Sequence, residues 1–528
     1  MPAFGSSTGI TITPNDGDSS IDDEYQDALR RHGLVLNEAG FVRWENSNPR
    51  HPRNWNAKLK TYGTIVILLL EFITSAVGTA GTAAAQEMRN DFSVGLGLSI
   101  FCLTSTYMIG QGIGGVFFPP YSEICGRKTL YIGSTLVYCV FSIITAAVHA
   151  LPAIIIARFL SGLASAVPTI VVAGSMEDMY NMKARVWMIF VWAVIGNAAV
   201  CVGPIYSAYV TQNMGWRWVF YLAAIGLGIL LGFCLFLHET RPSLLLEREV
   251  AILRKSQPGR DIKPLNPDKT LDFKTMVTVT CVRPVRLLLT EPIIMMVSFM
   301  GAVICALFYL QAESLPLVYE AYGWPTATAS LGFIPVLLGC GMSTFVRFYD
   351  QHHLEKIARS GRTIEPEDKL IGFAIATPCL AGGLWLFAWT IPPLTQVHWM
   401  VPMVAQFFIG FALNEGVYTL TGYLADSYTI YAASGFAGLI LVRASTCAVI
   451  LPFTHPMYVN LGFNVATSIL AAIATLFCVA PVVFIRYGKR IREASKFARL
   501  SLTMYHDNKV EDDGMDKAKV DEKVDYEK

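Results

Sequence analysis

A polar stretch, PPYSEICGRK at residues 119–128, lies between two apolar runs at 96–118 and 129–149. Each run is long enough to cross about 30 Å of hydrocarbon as an α-helix, which takes about twenty apolar residues. A short charged turn between two such runs is typical of a helical hairpin that spans a membrane twice. The same alternation continues toward both ends of the chain, so this stretch indicates an all-α membrane protein.

The composition agrees with a membrane protein. Of the 528 residues, 53% are hydrophobic and 15% are charged, whereas soluble domains carry about 25% charged residues. The net charge of +1 gives no reason to expect a nucleic-acid partner. The 11 cysteines occur singly within or beside apolar runs, without paired spacing, so they predict neither a disulfide framework nor a metal site.

Twelve membrane-spanning helices are predicted. They lie at 62–85, 96–118, 129–149, 152–174, 186–210, 216–237, 291–313, 326–348, 370–391, 399–421, 432–454 and 463–485. Six spans therefore precede a polar loop and six follow it. This plan is typical of transporters that are built from two similar halves around a cavity at the membrane midplane.

Lysine and arginine concentrate on alternate connections. One side of the membrane holds the basic residues of the turns at 119–128, 180–185 and 347–369, of the central loop, and of the chain after 485. The connections on the other side hold only Arg89 and Arg217. Because positive residues are retained on the cytoplasmic side, both termini and the central loop are predicted to be cytoplasmic.

These spans divide the chain into five predicted segments. Residues 1–61 form a cytoplasmic N-terminal tail that is predicted to be largely disordered, and residues 62–237 form a first six-helix bundle. The cytoplasmic central loop at 238–290 leads to a second six-helix bundle at 291–485 and a charged cytoplasmic tail at 486–528. No GxxxxGKS/T phosphate-binding loop occurs, so we do not expect this chain to use ATP directly.

Several motifs resemble those of one family. The stretch at 122–128, S-E-x-x-G-R-K, resembles the signature between helices two and three of the major facilitator superfamily, and the chain is similar to its fungal drug:proton antiporter branch of multidrug and metabolite exporters. Pro119 and Glu123 stand where that signature usually has glycine and aspartate. Further matches occur at 48–55, at Arg158 with Gly162, at Gly203 with Pro204, and at 216–220, 239–245, 283–293 and 487–492.

The resemblance implies the major facilitator fold, in which two six-helix bundles surround a central cavity and transport proceeds by alternating access. It also implies three groups of functional residues. These are a cytoplasmic gate that holds the outward-open state, formed by Glu123, Gly126, Arg127 and Asp178; an arginine linked to proton coupling, Arg158; and the helix-five antiporter motif, Gly203 and Pro204.

Two carboxylates lie inside apolar spans. Glu71 lies near the middle of the first span, and Glu415, beside Asn414, lies in the tenth. Ionisable residues at membrane depth are rare and mark ion or substrate paths. Glu71 and Glu415 are therefore predicted to bind protons, a cationic substrate, or both. The alternative is a structural role, in which Arg158 or Arg443 neutralises these carboxylates permanently.

Aromatic and amide side chains are predicted to line the same cavity. They suit a flat, partly apolar solute, which they would stack on or hydrogen-bond. The candidates are Asn197, Tyr309, Gln311, Asn414 and Tyr418.

The leading functional hypothesis is proton-coupled export of a small organic compound such as a drug, toxin or secondary metabolite. Uptake of a cationic nutrient such as a polyamine is the alternative, and a membrane sensor that does not transport is a third. An enzyme is not expected, and no cofactor or metal is predicted. The expected partners are the substrate, protons and the lipid bilayer, and we expect a monomer in the plasma membrane.

Overall fold

The computed structural model describes residues 26–36, 41–45, 47–256, 262–264, 282–360, 365–393, 397–428 and 432–495. Within these residues, twelve helices are long and apolar enough to cross a membrane. We label them α1 Ala57–Phe92, α2 Leu96–Pro119, α3 Arg127–Ala147, α4 Leu151–Met179, α5 Ala184–Met214, α6 Trp216–Leu235, α7 Pro292–Ala321, α8 Thr326–Ile357, α9 Ile371–Thr390, α10 Met400–Ser427, α11 Gly435–Leu461 and α12 Phe463–Arg492. The twelve predicted spans are confirmed.

Local sequence sets where these helices begin and end. Asn56 precedes α1 with extended backbone, and its side chain accepts the N–H of Leu59 at 2.9 Å, which satisfies a free donor of the first turn. Gly126, between α2 and α3, and Gly215, between α5 and α6, have φ angles of +88° and +92°. Their ψ angles of 155° place both in a region that only glycine occupies readily. The chain reverses sharply at these points.

The two halves of the chain use the same helix pairs. In the first half α1 packs on α5, α2 on α4, and α3 on α6; in the second half α7 packs on α11, α8 on α10, and α9 on α12. Each half has its own apolar core. The predicted arrangement of two six-helix bundles is therefore confirmed. The two halves repeat the same pattern of helix contacts, although no repeat is visible in the sequence.

The bundles meet along two seams, α2 against α11 and α5 against α8. At the first seam α2 presents a glycine face, formed by Gly97, Gly112 and Gly115. A Cβ atom added to Gly112 would lie 3.0 Å from the Cβ of Ala444, and one added to Gly115 would lie 3.2 Å from Ile440. Small residues allow helix backbones to approach closely in a membrane, so the glycine face sets the distance between the bundles.

The chain before α1 packs against the central loop. Residues 26–31 are helical, and β1 Leu34–Leu36 pairs antiparallel with β2 Val42–Trp44. They pack on the connector helix Pro242–Ser256. Their shared core consists of Leu29, Leu34, Val42, Leu246, Val250, Leu253 and Ile262. We call this assembly the N-terminal unit.

The expectation that residues 1–61 are largely disordered is wrong for the described part of 26–61; residues 1–25 lie outside the described residues. The segment holds few apolar residues, but the connector helix supplies the other half of a core. Arg50 also forms an ion pair with Glu249 at 2.6 Å, and the indole N–H of Trp44 donates to the carbonyl of Pro242 at 3.1 Å. At the other end, helix continues from 486 to 494, and 496–528 lie outside the described residues. The five segment boundaries stay predictions.

Candidate functional site

Glu71 lies deep in α1. It follows Ala57, the first residue of the helix, by fourteen positions, or about 21 Å at 1.5 Å per residue, and it is 3% exposed. Thr169 of α4 donates its hydroxyl to Oε2 at 3.0 Å, and Ser75 donates to Oε1 at 3.2 Å. Gly196 of α5 faces the carboxylate, since a Cβ atom there would lie 3.1 Å from Oε1. Glu71 is thus held by hydroxyl groups.

Glu415 has a similar setting in the second bundle. It is 1% exposed in α10, and Thr419 donates its hydroxyl to Oε1 at 3.3 Å. Gly372 of α9 faces it so closely that a Cβ atom there would overlap Oε1. Arg347 of α8 lies within electrostatic range. Among the described residues, neither Glu71 nor Glu415 has a basic nitrogen within 4 Å, so the permanent ion pair left open by the sequence does not form.

Arg158 is engaged elsewhere. Its Nε donates to the carbonyl of Leu103 in α2 at 2.6 Å, and the guanidinium lies 4.7 Å from the ring centre of Tyr107 and 5.0 Å from that of Phe220. The Tyr107 hydroxyl donates in turn to the carbonyl of Thr74 at 2.9 Å, one turn from Glu71. Arg158 therefore ties α2, α4 and α6 together, and its role in proton coupling stays a prediction.

Asn197 and Asn414 join the two bundles. The side-chain N–H of Asn197 in α5 donates to the side-chain carbonyl of Asn414 in α10 at 2.8 Å. Two turns before Asn197 in α5, the ring of Phe190 meets that of Tyr418 edge-on at 5.4 Å. Asn414 is the neighbour of Glu415, so this contact places one coupling candidate directly at the bundle interface.

The remaining cavity candidates lie in different places. Tyr309 packs against the apolar cores of both bundles, which places it at the interface. Tyr418 lies under the guanidinium of Arg347, which is 4.8 Å from its ring centre. Gln311 instead lies between α7 and α11, inside the second bundle, where its side-chain carbonyl accepts the hydroxyl of Tyr458 at 3.5 Å. Its place on the cavity stays a prediction.

The predicted cytoplasmic gate residues do come together. Arg127 forms an ion pair with Asp178 at 2.5 Å, and both side chains are 6% exposed. Glu123 contributes to the electrostatic environment of Arg127, and Gly126 provides the turn. Arg127 and Asp178, however, belong to α3 and α4 of one bundle. The pair thus braces the first bundle, and its part in holding the outward-open state stays a prediction.

Sequence reasoning missed Glu239, which follows α6. Its carboxylate accepts the backbone N–H of Arg127 at 2.9 Å, of Lys128 at 3.1 Å and of Arg241 at 3.0 Å. It thereby caps the positive end of α3. No spacing rule connects positions 112 residues apart, and the family match at 239–245 was the only signal.

The second bundle carries a counterpart of these contacts, which the sequence did not predict either. Lys369, just before α9, pairs with Asp426 near the end of α10 at 2.5 Å, as Arg127 at the start of α3 pairs with Asp178 near the end of α4. Arg492, at the end of α12, pairs with Glu367 at 2.9 Å. Helices nine, ten and twelve are thus braced at the same places as three, four and six.

Comparison with known proteins identifies the family. The profile of the Major Facilitator Superfamily matches residues 65–442, which is well over half of the chain. The chain belongs to the major facilitator superfamily. It is therefore a membrane transporter and not an enzyme, as the sequence predicted.

Fungal transporters of this superfamily are similar to the chain along most of its length. The MFS-type transporter paaT of Penicillium rubens is 30% identical over 464 residues, which are 87% of this chain and 84% of paaT. The multidrug transporter FLU1 of Candida albicans is 29% identical, over 85% of this chain and 75% of FLU1. The predicted resemblance to fungal multidrug and metabolite transporters is confirmed.

Solved structures of other superfamily members share the fold. The proton:xylose symporter XylE superposes with a TM-score of 0.55 at 16% identity, over 82% of this chain and 97% of XylE. A transporter of the POT family superposes with a TM-score of 0.54 at 14% identity, over 80% of this chain and 96% of that one.

In this major facilitator, the helix-five motif brings α5 against α1. A Cβ atom on Gly203 would overlap the carbonyl of Ala76, and the hydroxyl of Ser207 donates to the carbonyl of Ala80 at 2.8 Å. Pro204 is buried beside them. The motif therefore fixes how α5 lies against the helix that carries Glu71, and its role in antiport stays a prediction.

Proposed function

We propose that this transporter exports a small organic compound from the cytosol in exchange for protons, by alternating access of a cavity between its bundles. One observation carries the proposal. Glu71 and Glu415, one in each bundle, are buried at membrane depth and hydrogen-bonded to hydroxyl groups rather than locked into ion pairs. A carboxylate in such a site is free to exchange its proton for a substrate.

The two carboxylates differ in how they connect to the interface. Glu415 follows Asn414, which bonds the opposite bundle, whereas Glu71 lies against Gly196 in the helix that also holds Asn197. A change of charge at either site is thus one residue from the Asn197–Asn414 contact. This arrangement supports coupling between proton binding and bundle movement.

The names of the relatives favour export. FLU1 is named a multidrug transporter, as is TPO1_1 of Candida glabrata. The alternative, uptake of a dication such as a polyamine, has weaker support from the charges, because Arg443 lies near Glu71 and Arg347 near Glu415. Each carboxylate thus already has a positive neighbour.

We further propose that the protein is a plasma-membrane monomer with both termini in the cytoplasm. The distribution of lysine and arginine supports this orientation. Protease protection of tags at the two ends, in sealed cells and after permeabilisation, tests it. Protection that differs between the ends would contradict the orientation.

Flux in proteoliposomes tests the exchange. An acidic lumen should drive accumulation of ethidium, rhodamine B or spermidine, whichever the protein carries, and Glu71→Gln should abolish the pH-driven part because glutamine keeps the shape but cannot bind a proton. Glu320→Gln, at the outer end of α7, is the matched control and should leave the flux unchanged. Full pH-driven flux in Glu71→Gln would remove Glu71 from the mechanism, and no pH-driven flux of any panel compound in the wild type would overturn proton-coupled export.

A further inference from the structure

Arg443 is a charged residue at the bundle interface, and it lies near Glu71. It lies in α11, and Cys305 and Tyr309 of α7 and Cys447, one turn further along α11, lie within electrostatic range of its guanidinium. Its neighbour Ala444 touches the glycine face of α2 at Gly112. Arg443 is therefore part of the second bundle but lies at the seam with the first.

A chain of hydrogen bonds brings Glu71 to the same place. The amide N–H of Gln111 in α2 donates to the hydroxyl of Thr169 at 3.5 Å, and that hydroxyl bonds Glu71. Gln111 precedes Gly112, which packs on Ala444. Glu71 and Arg443 thus face one region of the seam from opposite bundles, within electrostatic range of each other.

Arg443 differs in its contacts from other arginines within the two bundles. Arg127 pairs with Asp178, Arg347 with Asp350, and Arg158 bonds a backbone carbonyl. Arg443 has no carboxylate oxygen within 4 Å in the part of the chain that the structure describes. The side chain of Arg443 is only partly buried. A guanidinium at membrane depth without an anionic partner is costly, so its presence at the seam requires an explanation other than packing.

We propose that Glu71 and Arg443 together bind an amphoteric substrate, one whose cationic nitrogen faces Glu71 while its carboxylate pairs with Arg443. This inference rests on the proposed export function and names its substrate class. A guanidinium is a planar fork that matches a carboxylate through two hydrogen bonds. The phenol ring of Tyr309 beside it offers an aromatic surface for the body of the substrate.

The charges suit exchange for a proton. A cationic nitrogen and a proton compete for the same Glu71 carboxylate, whereas the carboxylate of the substrate stays with Arg443. The other titratable groups near Glu71 are the phenols of Tyr107 and Tyr131, which carry no charge at neutral pH. Because Glu71 and Arg443 belong to different bundles, a bound amphoteric molecule would bridge the seam and draw the bundles together.

Two dyes that differ in one group test the pairing. Rhodamine B carries a cationic ring system and a free carboxylate, and its ethyl ester keeps the cation but has no negative charge. We expect the purified wild-type protein to bind rhodamine B about tenfold more tightly than the ester, as measured by fluorescence anisotropy, since a charge-assisted pair worth about 1.4 kcal/mol gives that factor.

The variants separate the two ends of the site. Arg443→Gln should weaken binding of rhodamine B to the level of the ester and leave ester binding unchanged, while Glu71→Gln should weaken both dyes alike. Unchanged ester binding also reports that Arg443→Gln is folded. Arg443→Lys keeps the charge without the fork and should retain part of the preference, and the exposed Arg359→Gln is the matched control.

Three results would overturn the inference. The first is wild-type protein that binds the ester at least as tightly as rhodamine B, and the second is wild-type protein that binds neither dye. The third is an Arg443→Gln variant in which binding of both dyes is weakened equally, which indicates a structural role for Arg443. The failure of the export proposal is distinguishable, because it appears as loss of pH-driven flux and does not depend on the preference between the dyes.

Discussion

The Arg127–Asp178 ion pair provides a direct test of what burial adds to a charge pair. Its nitrogen and oxygen lie 2.5 Å apart, and both side chains are 6% exposed. Arg185 and Glu177, at the same end of the first bundle, form a pair of similar length at 2.7 Å, with side chains 29% and 58% exposed. The two pairs differ mainly in their access to water.

The expected magnitudes follow from that difference. Removing one partner of a buried pair costs about 3–5 kcal/mol, because the other charge stays behind without compensation. We expect the lower end, about 3 kcal/mol, for Arg127→Met, because Arg241 still lies 3.8 Å from Asp178. For Arg185→Met we expect about 0.2–1 kcal/mol, the usual value of an exposed pair.

Unfolding of the purified protein by SDS in mixed micelles, followed by tryptophan fluorescence, measures these free energies. A double-mutant cycle of Arg127→Met with Asp178→Asn isolates the pair itself. The cycle of Arg185→Met with Glu177→Gln is the matched control. A coupling free energy for Arg127 and Asp178 no larger than that of the exposed pair would refute the reasoning that burial makes this contact strong.

Two further predictions concern the second bundle and the N-terminal unit. Gly372→Ala should displace Glu415 and lower pH-driven flux by about tenfold to a hundredfold, with little change in the free energy of unfolding. Gly382→Ala on the same helix, where a Cβ atom meets nothing within 4 Å, is the control and should behave as wild type. Equal flux in the two variants would contradict a role for the Gly372–Glu415 contact. Burial, aided by Arg53, lowers the pKa of His51 from 6.5 to about 4, so stabilisation by the neutral ring is present above pH 6.5 and is lost as the pH falls through 4. Hydrogen exchange in the described part of 26–61, corrected for intrinsic rates, should therefore rise on acidification, and a rise just as large in His51→Asn would show that His51 is not its cause.

The sequence predicted what depends on one helix at a time. The number of spans and the depth of Glu71 and Glu415 follow from apolar length alone. The hydrogen-bond partner of Glu71 does not follow from apolar length. Thr169 lies 98 positions away, and only the rotation of α4 against α1 brings the two side chains together. The same holds for Gly372, which faces Glu415 across a helix contact.

The N-terminal unit was not predicted, for a related reason. Leu29, Leu34 and Val42 are too few to form a core alone, so their surroundings read as a polar tail. Their partners Leu246 and Val250 lie more than two hundred positions later, on the connector helix. Composition read along a segment does not report a core that two distant segments share.

The glycine face of α2 has a consequence for the rate of the transport cycle. Glycine has no side-chain rotamers to rearrange, so at Gly97, Gly112 and Gly115 a movement of α11 against α2 requires no change of an α2 side chain. Beside the opposite seam, the Asn197–Asn414 bond and the Phe190–Tyr418 ring contact join α5 to α10, and both must break before the bundles separate there. Separation on this side therefore loses specific side-chain contacts, which the glycine face does not have.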